Sequence, residues 1–175
     1  MDRRYLVLIL LALSCAGCPA TLKPDSMSPS ISQSVNHSKS DIAVAVVGAT
    51  SISLRKPVQI TDEDFAQALT SSIEQAGLFA QVARDRSAKY QLQAMFADLD
   101  EEIFGLDMSA SMQISYALAS TSPKRLVWEK KIASSYTATL SDSIISITRL
   151  QLATEGAARR NIEQAILEIS KLQLE

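Results

Sequence analysis

Met108-Ser109-Ala110-Ser111-Met112-Gln113-Ile114-Ser115-Tyr116-Ala117-Leu118 repeats with a period of two. Met108, Ala110, Met112, Ile114, Tyr116 and Leu118 fall on one side, and Ser109, Ser111, Gln113 and Ser115 on the other. Successive side chains of a strand point to opposite faces, so the run predicts an antiparallel strand with one packed face and one wet face. Upstream, Tyr90, Leu92, Ala94 and Phe96 alternate with Gln91, Gln93 and Met95. Downstream, Leu126, Trp128, Ile132 and Tyr136 share a parity interrupted by Lys130 and Ser134. The connecting stretches, Asp98 to Asp107 and Ser120 to Arg125, contain Gly105 and Pro123 and read as hairpin loops.

Outward from these three strands the pattern changes. Ile42, Val44 and Val46 alternate with small residues and predict a further strand over 41–47. Thr50 to Ile60 is expected to add a short irregular strand around Ile52 and Leu54. Phe65, Ala68, Leu69, Ser72, Ile73 and Ala76 then recur at helical spacing. Thr61 is placed to cap that helix with Asp64 three residues on, while Gly77 and Leu78 suit a left-handed end, giving a helix over 62–76. A second helix is expected from about Arg149 to Lys171, with Leu150, Ala157, Ala158, Ile162, Ala165, Ile166, Ile169 and Leu172 as its apolar stripe. Gly156 costs about 1 kcal/mol there relative to alanine and marks a close approach to the sheet. Glu155, Arg159 and Glu163 are spaced for i,i+4 pairing on a wet face. The order β-α-β-β-β-α predicts an α+β two-layer sandwich, two helices on one face of a mainly antiparallel sheet. Its other face, carrying Gln91, Gln93, Ser109, Ser111, Gln113 and Ser115, is polar, weakly charged and open to a partner.

Composition limits what such a domain can do. Hydrophobic residues make up 47% of the 175 and aromatic residues 5%, so the core must be aliphatic. The net charge of −2 gives no concentrated basic surface, which argues against nucleic acid as a partner. No cofactor is implied, since the five glycines are isolated and form no phosphate-cradling loop.

The amino-terminal residues carry an address. After Met1-Asp2-Arg3-Arg4, Tyr5 to Leu13 is unbroken and apolar. As a helix those residues span about 14 Å, against about 30 Å of bilayer hydrocarbon, so a secretory signal fits better than a membrane span. Ala16-Gly17-Cys18 resembles the end of a bacterial lipobox, although Cys15 stands where leucine is usual. Cleavage after Gly17 and lipidation of Cys18 are expected, with Ala12-Leu13-Ser14-Cys15 as the alternative site. The resemblance implies three acyl chains on the cysteine, hence a stable anchor, and no metal or redox role for Cys15-x-x-Cys18, which has no second ligand pair. Pro19 in place of aspartate favours the outer membrane, with the domain facing the periplasm. Residues 19–40 are dominated by serine and proline and read as a flexible tether averaging roughly 26 Å end to end. Asn36-His37-Ser38 matches a sequon by chance, and His37, the one histidine, is read as solvated. The expected division is thus a signal peptide at 1–17, the lipidated cysteine and tether at 18–40, and one soluble α+β domain at 41–175.

A lipidated leader, a polar tether and β-α-β-β-β-α resemble small envelope lipoproteins: the YajG-like proteins, LptE, and the PqiC-type auxiliary lipoproteins. Phe65-Ala66-Gln67-Ala68-Leu69 through Gly77-Leu78-Phe79, Tyr90-Gln91-Leu92, Val127-Trp128-Glu129 and Glu155 through Ile162 carry that likeness. It implies a non-enzymatic accessory or binding component of envelope transport or assembly, held to the membrane by its lipid and engaging an envelope protein complex or an amphipathic envelope molecule. The alternative is a structural or regulatory lipoprotein touching a peptidoglycan-acting enzyme. Catalysis has little to work with. The expected mature domain lacks cysteine beyond the anchor and histidine beyond His37, which removes Ser-His and Cys-His arrangements. Asp98, Asp100, Glu101 and Glu102 form an acidic cluster that could hold a cation or act as paired carboxylates, but a solvated hairpin is the commoner use of such a cluster. Trp128 could floor a ligand site, though its parity places it in the core.

Overall fold

The computed structural model describes residues 20–31, 38–83, 87–104 and 106–174. In chain order the elements are β1 (Ala20–Thr21), α1 (Pro24–Met27), β2 (Asp41–Val47), α2 (Ala49–Ser53), β3 (Val58–Gln59) and α3 (Asp62–Ala76). They continue with β4 (Gln81–Ala83), β5 (Tyr90–Phe104), β6 (Asp107–Thr121), β7 (Lys124–Ala138) and α4 (Ser146–Ile169). The main sheet has the order β4-β2-β5-β6-β7. β5, β6 and β7 form an antiparallel meander, and β2 runs parallel to both β5 and β4. α3 and α4 cover one face. This is the α+β two-layer sandwich expected from the alternation of 108–118, with β4 added at the edge.

The α3 boundaries follow from local chemistry. Thr61 Oγ1 accepts the Asp64 backbone N–H at 2.9 Å, and Asp62, Glu63 and Asp64 sit in the first turn, where the helix dipole favours negative charge. At the other end Gly77 adopts φ 61°, and its N–H is satisfied by the last turn. Thr61→Ala should cost about 1 kcal/mol, read as a lower denaturant midpoint at unchanged slope.

Several expectations are corrected. First, Asp98 to Asp107 is not a loop: β5 runs to Phe104 and β6 starts at Asp107, so only two residues separate them in the chain. A bulge between Phe96 and Asp98 resets the parity, which hid the second half of the strand. Second, a register shift between Leu118 and Ala119 does the same in β7: Trp128 faces the core beside Tyr116, but Leu126 is turned outward and exposed. Third, residues 49–53 are helical rather than extended. Gly48, at φ 93°, turns the chain out of β2, and the buried Ser53 hydroxyl donates to Ala49 O and Ile60 O while accepting from Ile60 N. α4 also starts three residues earlier than expected and stops at Ile169.

The fourth correction concerns the tether. Residues 20–31 are packed onto the domain. β1 pairs with β3, and Leu22 and Met27 are fully buried. α1 lies against both α3 and α4, where Ser28 Oγ reaches Ala68 O at 3.4 Å and Arg159 Nη2 donates to Ser26 O at 2.6 Å. Two apolar side chains in a polar stretch are enough to dock it, and composition alone hides them. On the helix face expected to be wet, Arg159 and Glu163 are exposed, with Arg159 binding the backbone of this segment, whereas Glu155 is buried and accepts from Gln151 Nε2. Cys15, Cys18, Asn36 and His37 lie outside the described residues.

Candidate functional site

The open face of the sheet presents Gln91 and Gln93 from β5, Ser109, Ser111, Gln113 and Ser115 from β6, and Ala133, Ser135 and Thr137 from β7. Cross-strand neighbours pair through hydroxyls, as Ser109 and Thr137 do at 2.8 Å. A cavity of about 500 Å³ is lined by Asp98, Ser111, Gln113, Ala133 and Ser135 of this face, by Met112 and Ser134 of the helix-covered face, and by Arg160 and Gln164 of α4. Arg160 comes from α4. Its Nη1 donates to Ser135 O at 2.8 Å, and its guanidinium lies 4.9 Å from the centre of the Tyr136 ring. The charge is therefore held in place before any ligand arrives. Asp98 sits at the β5 bulge, where its Oδ1 accepts the Leu99 N–H at 2.9 Å. The groove offers a carboxylate, a fixed guanidinium, amides and hydroxyls. That combination suits hydrogen-bonded recognition of a polar segment.

Strand geometry divides the acidic cluster. Asp98, Asp100 and Glu102 stand opposite Gln113, Ser111 and Ser109 on the open face, which makes that part of it more acidic than expected. Glu101, opposite Ala110, points to the other face. There burial pushes its carboxyl above the usual range, with Lys56 opposing, and Oε1 has no hydrogen-bond partner. Asp98, Asp100 and Glu102 follow one another along the open face at a spacing of about 7 Å per two residues, while Glu101 is turned away from them. Among the described residues no group of three or more potential ligands could hold a metal ion. At the edge below the groove, Glu168 is bonded by Lys171 at 2.8 Å and Lys130 at 2.9 Å, which holds its pKa down at about 2. Sequence reasoning identified the β6 side of the groove but not Arg160. Its role depends on α4 crossing β7, and no local spacing encodes that.

No family model matches the chain, and no curated protein matches it. Solved structures do share its fold. Protein XCC0632 from Xanthomonas campestris, of the family DUF330, aligns with TM-score 0.60 at 12% identity over 84% of this chain and 89% of its own. Protein CT253 from Chlamydia trachomatis gives 0.55 at 9% over 76% and 96%. A minor lipoprotein from Acinetobacter baumannii gives 0.51 at 10% over 77% and 93%. At such identities the likeness establishes the architecture, one that a bacterial lipoprotein also uses. No described helix is long and apolar enough to cross a membrane.

Proposed function

We propose that this chain is a lipid-anchored, non-enzymatic accessory lipoprotein of the bacterial envelope, facing the periplasm from the outer membrane, and that it acts by binding through the open sheet face. The observation that carries the reading is the groove: a pre-positioned Arg160, Asp98 and a set of amides and hydroxyls. The lipobox-like Ala16-Gly17-Cys18 supports the anchor, and the fold shared with a minor lipoprotein is consistent with it. The occupant is an envelope protein complex or an amphipathic envelope molecule presenting polar groups.

Mass spectrometry of the amino-terminal peptide from the bacterium should find Cys18 acylated, and Cys18→Ser should move the protein from the membrane to the soluble fraction. An unmodified chain beginning at Met1 would refute the reading. With the anchor intact, Asp98→Ala combined with Arg160→Ala should abolish co-purification of envelope transport components. Retention of peptidoglycan-acting enzymes instead would favour the alternative role.

A further inference from the structure

The long meander extends well past the end of β2, and its far end is apolar on the outside. Ile103 is 70% exposed and Leu106, in the β5–β6 turn, 63%. The register places Ile103 beside Met108 and Met108 beside Ala138, so the β7–α4 connection leaves from the same end. That connection exposes Ile144 at 87% and also Ile145. It is not a loose loop. Asp142 Oδ2 accepts from Thr139 N at 2.7 Å and from its hydroxyl at 3.0 Å, Ser143 Oγ accepts Ile145 N, and the buried Arg149 donates Nη1 to Ser143 O at 2.7 Å. The two bonds from Thr139 lower the Asp142 pKa. A scaffold of hydrogen bonds thus holds isoleucines out into solvent, a cost in hydrophobic free energy that an apolar partner would remove.

The start of the chain indicates which partner. Ala20 N donates to Pro57 O at 3.3 Å, and the adjacent Lys56 acts electrostatically on Glu101. Glu101 is three residues from the end of β5, about 10 Å along a strand. Ala20 is therefore fixed toward the apolar end. Cys18 is two residues earlier, and two residues reach no more than about 7 Å. Exposed Leu54, followed by Arg55 and Lys56, lies on the same side. Glu102 and Asp107 flank the tip, which disfavours a strongly anionic surface and suits zwitterionic headgroups.

We infer that this end of the domain, with Ile103, Leu106, Ile144 and Ile145 foremost, seats in the headgroup layer of a zwitterionic bilayer beside the acylated Cys18. The domain then rests on the membrane and does not stand off on a tether. This rests on the lipoprotein reading and deepens it.

The test uses the acylated protein purified from the bacterium, with Leu106→Cys, Ile144→Cys or Lys124→Cys carrying an environment-sensitive fluorophore. On the proposed reading the Cys18 sulfur is blocked by its lipid and Cys15 has left with the leader, so only the new thiol is labelled. Lys124 starts β7 at the opposite end, about 45 Å away. In phosphatidylethanolamine–phosphatidylcholine vesicles with brominated acyl chains, labels at 106 and 144 should shift to shorter wavelength and be quenched. The label at 124 should not change, and circular dichroism should match the parent. Labels at 106 and 144 that stay water-like while the protein floats with the vesicles would overturn the inference and leave the anchor intact. Absence of acylation and of flotation would overturn both. Burial of these labels before vesicles are added, with a dimer seen by light scattering, would assign the patch to a second copy and overturn the inference.

Discussion

Gly156→Ala should destabilise the protein by about 2–3 kcal/mol, although alanine is the better helix former by about 1 kcal/mol. A Cβ at this position would lie 2.3 Å from Cγ of Tyr136 and within 2.7 Å of both Cδ atoms. The contact is with the root of the ring, so no rotation about the terminal torsion removes it. Arg160 lies over the same ring at 4.9 Å, so a shifted ring would disturb the groove as well. The expected readout is a fall in Tm of about 5–10 °C. Tyr136→Ala should be destabilising alone but should rescue Gly156→Ala, because the clash needs both partners. Additive losses in the double variant would show that the close approach is not what excludes a side chain here.

The second large effect lies between α4 and the sheet. Asn161 is fully buried. Its Oδ1 accepts from the Tyr116 hydroxyl at 2.9 Å, and its Nδ2 donates to Ile132 O at 3.1 Å and Ser134 Oγ at 3.0 Å. Ser134 Oγ in turn donates to Ala157 O at 2.9 Å. One amide thus satisfies groups on β6 and β7 from α4. Burial already pushes the Tyr116 phenol well above its ordinary range, a sign of how dry the site is. Asn161→Leu strands the Tyr116 hydroxyl and the Ile132 carbonyl, at roughly 1–3 kcal/mol each, so a loss of about 3–5 kcal/mol is expected in denaturant unfolding. Adding Tyr116→Phe should recover part of it, since removing both polar partners costs less than orphaning one.

Asn161→Asp separates shape from charge. A buried carboxyl without a facing cation has its folded-state pKa raised above the unfolded value of about 3.9. The variant should therefore be most stable below pH about 4 and lose stability as the pH rises through the folded-state pKa. Stability that does not depend on pH between 4 and 8 would mean that water reaches the site.

Much of this architecture could be read locally. The 108–118 alternation names the strand that became β6. Thr61, Asp64 and Gly77 bound α3 by capping chemistry, and Gly156 announces the contact with Tyr136. The failures share a cause. A single extra residue at each bulge inverts the parity from one side of it to the other, so the acidic half of β5 looked like a loop and Leu126 looked like core. Leu22 and Met27 could not be found because two buried side chains do not alter the composition of a serine-rich stretch. The groove was half legible: period-two reasoning found Ser111 and Gln113, whereas Asp98 and Arg160 reach it only through a bulge and a helix crossing.

The bond from Arg159 to Ser26 closes a separation of 133 positions. Contacts so distant form late, because both partners must exist and the intervening chain must be ordered first. In a polypeptide threaded amino-terminus first, the segment at 20–31 can meet β3 and α3 early but cannot complete its docking until α4 has emerged. On the lipoprotein reading, the acylating enzymes meet Cys18 during that interval, on an extended and accessible strand of polypeptide. Completion of the fold then draws residues 20–31 in against the body of the protein, so that on this reading maturation precedes the last step of folding.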